Sequence, residues 1–310
     1  MRRWLRRLSY NANAPLLIGG LLVLVLAGSA LAAPILAPRD PLRALAVDPA
    51  NPGLSTPFPP GTRGFPLGSD PAGRDMLSRL LFGARYTLLI GVVATLGRIA
   101  LGMVIGMLAG WYRAAARLLN SLISAWSAIP PVFLAFFAIP LLAVPVFGLA
   151  PIGPRNMSEV LRDVVVFTIV IGITGWTEAA VRCRTAAQGL KSASFIEAAY
   201  TAGLSRWAVL WRHVLPNLRD ILLAEAANAM SGALLLIAEL GFFSFFIGGG
   251  QEDITGSHYL DPIYAEWGSM LAKGLRERGS GLWLLLEPLL AFTLAILAFN
   301  LLGEGLRRRR

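Results

Sequence analysis

Apolar stretches of about twenty residues, bounded by arginines, recur along this chain and leave it few ways to fold. Residues 15–33 carry no charged side chain, and residues 86–112 carry only Arg98. A bilayer's hydrocarbon core of about 30 Å takes about 20 residues of helix, and inside it every backbone polar group must be satisfied within the protein. The composition agrees: 55% of residues are hydrophobic, 15% are charged, and the mean hydropathy is +0.62. Soluble domains carry about a quarter charged residues. The chain therefore reads as an all-α, polytopic membrane protein with six transmembrane helices.

A net charge of +10 and an isoelectric point near 10.7 raise the question of nucleic acid. The basic residues cluster at the ends of apolar runs instead of forming one stripe, so no nucleic-acid partner is expected. Cys183 is the only cysteine, which excludes an internal disulfide; His213 and His258 are too few for a histidine-rich metal centre. There is no His-Glu-x-x-His helix, no Gly-x-Ser-x-Gly elbow and no Gly-x-x-x-x-Gly-Lys-Ser/Thr phosphate loop. No catalytic residue, metal site or bound cofactor is assigned.

In chain order, Arg2, Arg3, Arg6 and Arg7 precede the first apolar run. A retained span and a signal peptide ending at Ala30-Leu31-Ala32 both fit it, and its length favours the span. Ten of the twenty prolines fall between residues 34 and 71, which excludes a regular helix there. Asp70 as N-cap and Pro71 as first helical residue then predict an amphipathic helix at the membrane interface, with Met76, Leu77, Leu80 and Leu81 at helical spacing.

The second span follows from about Tyr86 to Tyr112. Gly102, Gly106 and Gly110 are spaced by four, either by chance or as a ridge that admits a second helix. Arg98 lies mid-span, facing a translocation cavity or pairing with a carboxylate such as Glu239. A third span begins near Leu118 and must kink or break at Pro130-Pro131. Pro140, Pro145, Pro151 and Pro154 mark a loop, and a fourth span runs from about Asp163 to Ala180.

The polar interruption from Lys191 to Arg219 is itself helical in pattern. Phe195, Ala198, Ala199 and Ala202 form one small apolar face, Gly203 ends that helix, Ser205 caps a second one, and Pro216 stops it. Span five, from about Ile221 to Ile247, carries Asn228, Ser231, Gly232 and Glu239, the last for structural hydrogen bonding or for gating. Span six runs from Leu284 to about Leu302, with Glu287 unexplained.

Four of these segments resemble known sequences. Glu197-Ala198-Ala199, Gly203 and Leu215-Pro216 resemble the EAA loop of bacterial ABC importer permeases. Pro66-Leu67-Gly68-Ser69-Asp70 with Gly73-Arg74-Asp75 and Gly83-Ala84-Arg85 is similar to the C-type subunit of the dipeptide, oligopeptide and nickel branch. Glu266-Trp267-Gly268-Ser269-Met270-Leu271 and Ala298-Phe299-Asn300-Leu301-Leu302-Gly303 complete the likeness. It implies the type I ABC importer permease fold, with Glu197, Ala198, Ala199, Tyr200, Gly203, Leu215 and Pro216 coupling to an ATPase. Arg98, Asn228 and Glu239 are candidates for the translocation path, and Glu266, Trp267 and Gly268 for contact with a binding protein. The implied partners are a B-type permease, two ATPase subunits that hold ATP and Mg, an extracytoplasmic substrate-binding protein and membrane lipid.

The expected organisation is a cytoplasmic tail at 1–14, a first span at 15–33 and an extracytoplasmic loop with interfacial helix at 34–85. A five-helix core follows at 86–306, with the coupling loop at 182–220, and a basic tail at 307–310. With both termini in the cytoplasm of a bacterial or archaeal plasma membrane, 16 of the 28 basic residues lie inside and 11 outside, the sign of the positive-inside rule. The competing class is a stand-alone secondary transporter or channel for a small polar solute, which would show inverted repeats. No such repeat is evident.

Overall fold

Packing between the spanning segments begins at the first helix, where Asn13 ties it to the last one. The computed structural model describes residues 13–45, 53–142, 157–247, 250–252, 260–262 and 264–308. The expectations for the N-terminal arginines, for Pro145, Pro151 and Pro154, for His258 and for the last two residues lie outside the described residues. Helix α1, Ala14–Leu31, is capped by Asn13, whose side chain accepts from Leu16 N–H and donates to the carbonyl of Gly305. A single turn, α2 (Ala33–Leu36), leads into the proline-rich loop.

The helix expected to start at Pro71 starts instead at Met76. Residues 69–75 form a turn closed by an antiparallel bridge between Ser69 and Asp75, in which Gly73 takes φ +76°. Asp75, not Asp70, is the N-cap, accepting from Ser78 N–H at 2.7 Å. From there α3 (Met76–Trp111) runs 36 residues without interruption, so there is no separate interfacial helix before the second span.

Pro130 and Pro131 break the chain as their missing N–H groups require. The expected third span is two helices, α4 (Arg113–Ser127) and α5 (Pro131–Leu141), meeting at 83°. The fourth is also bent, by 42°, between α6 (Met157–Thr174) and α7 (Thr177–Leu190), at Gly175. Then come α8 (Ser194–Thr201) and α9 (Arg206–Val209). Pro216 does not stop the next helix. A π turn at Leu210–Val214 joins α9 to α10 (Leu215–Phe242), giving one rod from Arg206 to Phe242. The wide turn places Leu215 N–H on the carbonyl of Leu210, and Asn217 Nδ2 donates to the carbonyl of His213 at 2.6 Å, which is how the backbone accommodates the proline ring.

A two-stranded ribbon, β1 (Gly250–Glu252) with β2 (Leu260–Pro262), precedes α11 (Trp267–Arg276) and α12 (Trp283–Arg307). Among the described residues, four helices are long and apolar enough to cross a membrane, and counting each bent pair as one span gives six. Their packing is backbone-close. A Cβ at Gly102 would stand 2.7 Å from the carbonyl oxygen of Trp176, one at Gly106 2.9 Å from Cβ of Cys183, and one at Gly110 2.7 Å from the carbonyl oxygen of Arg184. The spaced glycines of α3 are thus the seat of α7, and the two helices run parallel. Gly19 and Gly305 do the same for α1 against α12.

Candidate functional site

Helix α8 stands at the end of the bundle that also carries Asn13 and Arg307. Ala193 precedes it, and a Schellman motif closes it: Gly203, at φ +84°, donates to the carbonyl of Tyr200 at 2.9 Å, and Leu204 to that of Ala199 at 3.1 Å. Glycine is required there because other residues pay for a left-handed backbone. Of the apolar face that the spacing suggested, Ala199 alone is buried in the bundle. Ile196 and Ala199 pack into a cluster with Met107, Trp111, Leu210 and Val214, while Phe195, Ala198 and Ala202 are exposed. Local periodicity cannot say which of two small-residue faces meets the bundle.

Glu197 and Tyr200 also lie on the open side of α8. Glu197, Ala198, Tyr200 and Gly203, expected to couple to an ATPase, are therefore all exposed, and Ala199 is buried beneath them. Leu215 and Pro216 sit at the base of the rod, Leu215 half-buried against the same cluster and Pro216 exposed. The arrangement makes α8 a short peg, rigidly rooted and free on its outer side.

A second polar region lies at membrane depth. Arg98, 4% exposed, donates from Nε to the carbonyl of Ile171 at 3.0 Å and from Nη1 to that of Ala229 at 3.2 Å. Its guanidinium fits a slot left by Gly175 and Gly232. The bend between α6 and α7 frees carbonyls, and a cation at a helix C-terminus is favourable. The expected pairing with Glu239 is not found: the carboxylate acting on Arg98 is Glu178, while Glu239 is half-buried farther along α10. Asn228 faces Gly303 of α12, whose missing side chain leaves room for its amide.

One exposed face of α7 carries polar residues, of which Glu178 and Thr185 were not singled out from the sequence. Glu178, Val181, Arg182 and Thr185, at i, i+3, i+4 and i+7, are all exposed, and Arg182 pairs with the buried Glu225 of α10. Two open grooves of about 370 and 420 Å³ flank Arg182, one bounded by Asp220, Glu225 and Arg307 and the other by Trp126, Pro131 and Glu178. Charged side chains exposed on a spanning helix meet water or another protein chain, not acyl tails. The i, i+4 spacing of Glu178 and Arg182 was the signal available in the sequence.

The opposite end is held by a buried ion cluster. Asp70 pairs with Arg74 at 2.7 Å and Lys273 at 3.4 Å, with Arg79 at 4.0 Å. Burial pushes the Asp70 carboxyl up, but the Arg74, Lys273 and Arg79 cations outweigh it and hold it down at about 2. Glu266 is the N-cap of α11, accepting from Gly268 N–H at 2.7 Å and Ser269 N–H at 2.8 Å. Complete burial pushes its carboxyl up to about 7 despite those two bonds. Trp267 donates from Nε1 to the carbonyl of Leu80 at 2.9 Å. Glu266, Trp267 and Gly268 were expected to contact a binding protein; all three are buried, so they shape this end from within and offer no docking surface.

The described bundle thus has a peg at one end, charged grooves beside α7 and a buried ion cluster at the other end. Residues 102–309 match the model of the family described as "Binding-protein-dependent transport system inner membrane component". The chain belongs to that family. Across 312 aligned residues this permease is 30% identical to a di/tripeptide transport system permease protein of Pseudomonas aeruginosa, covering 99% of this chain and 90% of the relative. It is 30% identical to a glutathione transport system permease protein of Pectobacterium atrosepticum, over 93% and 83%. To a dipeptide transport system permease protein of Alkalihalophilus pseudofirmus it is 30% identical, over 78% and 69%. The family match begins within α3 and takes in the peg, the α7 face and α12.

Proposed function

We propose that this permease is the C-type membrane subunit of an ATP-driven importer of di- or oligopeptides, with α8 as its coupling helix and the end bearing α8 in the cytoplasm. The observation that carries the reading is the exposure of Phe195, Glu197, Ala198 and Tyr200 on a helix whose other face is rooted in the bundle. A partner that grips this ridge moves the root with it, because Ile196 and Ala199 transmit displacement to α3 and the α10 rod. Two ATPase subunits binding ATP and Mg supply that grip, and a B-type permease forms the other half of the path. Alternating closure of the ATPases then rocks the spans between inward- and outward-open arrangements.

Peptides suit the path for a chemical reason. The α7 face and its grooves present both signs of charge, Glu178, Asp220 and Glu225 with Arg182 and Arg307, and a peptide at neutral pH is a zwitterion. Relatives named for dipeptides, di/tripeptides and glutathione support the same class. An extracytoplasmic binding protein delivers the substrate.

The test uses the complete transporter in proteoliposomes. Gly203→Pro removes an N–H bonded to Tyr200 and demands a φ near −65° where the backbone holds +84°, so it dislocates the peg. Glu197→Arg reverses the ridge's charge. Both are expected to abolish most transport and substrate-stimulated ATPase activity while membrane insertion stays normal. Full activity in both variants, or uptake by this chain without an ATPase, would point instead to a stand-alone transporter.

A further inference from the structure

Beside the root of the peg, three cations converge without a counter-ion. Arg113 opens α4, Lys191 follows α7 and Arg206 opens α9, and together with Trp111, Ile196 and Tyr200 they line an open pocket of about 420 Å³. Lys191 Nζ stands 5.9 Å from the centre of the Trp111 ring. Partial burial, then the neighbouring Arg113 and Arg206 charges, hold the Lys191 ammonium below its ordinary value. Among the described residues no carboxylate forms an ion pair with any of the three. Other cations of the bundle are paired: Arg182 has Glu225, Arg74 has Asp70, and Arg307 and Arg308 have Glu304, while Arg98 is held by two carbonyls.

Like charges brought to one pocket by three different segments repel one another, and an anion relieves that cost. The pocket lies where spanning helices end. Its wall is the last residue of α3, and α4 leaves it with Leu118 and Leu122 exposed. Trp207 and Trp211, on the turn that follows Arg206, are exposed in edge-to-face contact, as aromatic residues at a bilayer boundary are. An anion that belongs there carries its charge at headgroup depth and its tails in the hydrocarbon.

We propose that Arg113, Lys191 and Arg206 form a binding site for the phosphate of an anionic phospholipid, seated against the root of α8. The three donors bind the phosphoryl oxygens by charge-assisted hydrogen bonds, and the edge of Trp111 that lines the pocket meets the glycerol. Lipid so placed braces the footing of the peg. The site stands whether or not α8 couples to an ATPase.

The experiment reconstitutes the complete transporter in phosphatidylcholine vesicles containing about one-fifth phosphatidylglycerol and counts the phospholipid retained after mild detergent extraction by native mass spectrometry. Arg113→Gln, Lys191→Gln and Arg206→Gln together are compared with a control, Arg117→Gln, Arg212→Gln and Arg219→Gln, that removes as much charge outside the pocket. At roughly fivefold in affinity per basic residue, the pocket variant should hold phosphatidylglycerol about a hundredfold more weakly, with the control close to wild type. Equal retention by the two triple variants would overturn the site. Displacement of the lipid by millimolar inorganic phosphate, or phosphate binding with no lipid retained, would assign the pocket to a free anion and overturn the lipid assignment. Loss of ATPase subunits from the pocket variant with its lipid count unchanged would make the pocket a protein contact, and would also overturn it.

Discussion

Replacing Gly106 and Gly97 of α3 by alanine should change stability in opposite directions, although both residues are helical glycines in one span. At Gly106 an added Cβ stands 2.9 Å from Cα of Ala180 and 2.9 Å from Cβ of Cys183. Carbon atoms are comfortable at about 3.5–4.0 Å, so the α7 backbone must retreat by most of an ångström. Overpacking of this kind costs about 1–3 kcal/mol, and the gain in helix propensity from Gly to Ala returns about 1 kcal/mol, leaving Gly106→Ala destabilised by up to about 2 kcal/mol. At Gly97 the nearest atom to an added Cβ is Cα of Gly172 at 3.8 Å, an ordinary contact, so Gly97→Ala keeps the propensity gain alone. The reporter is native. Cys183 is the single cysteine, fully buried at the α3–α7 contact, and reacts with a maleimide dye only when that contact opens. In the purified full-length chain in nanodiscs, Gly106→Ala should raise the labelling rate up to about thirtyfold and Gly97→Ala should lower it. A common direction for both variants would refute backbone contact as the basis of this interface.

Two more expectations concern the end opposite the peg. Asp70 in the fold titrates at about 2 against 3.8 ordinarily, so its ion cluster contributes stability in full above pH 3.8, lost as pH falls through 2; at about 1.4 kcal/mol per unit this is about 2 kcal/mol, and Asp70→Asn should remove it, flattening the acid limb of thermal unfolding measured between pH 5 and 2. Glu266 has the reverse sign, its folded value of about 7 lying above 4.5: its contribution is complete below pH 4.5 and declines as pH rises through 7, by about 3 kcal/mol. Thermal unfolding of Glu266→Gln should therefore vary less between pH 5 and 8 than that of wild type.

Much of this permease could be read from order along the chain. Apolar runs of bilayer length, arginines at their ends and the Pro130-Pro131 break follow from what a hydrocarbon core permits a backbone to do, and none needs a neighbour to be true. The Gly102, Gly106 and Gly110 ridge was legible as a surface for close approach, because glycine at one-turn spacing leaves a groove in any helix. Gly203 was legible as a terminator for an equally local reason, its left-handed backbone.

What the tertiary structure alone decided was which side of each local pattern meets which partner. Phe195, Ala198, Ala199 and Ala202 share one apolar face in the sequence, yet the cluster around Trp111 and Leu210 takes Ile196 and Ala199 for burial and leaves the other three exposed. Asp70 was read as the cap, but the Ser69–Asp75 bridge leaves capping to Asp75, and the Lys273 ion pair puts Asp70 in a buried cluster. Arg98 finds one carbonyl beside a bend in another helix and a second on α10, and Glu266 is enclosed where a surface was expected. Burial, and with it the balance between desolvation and pairing, is a property of segments distant in sequence brought together, so no local pattern could state it.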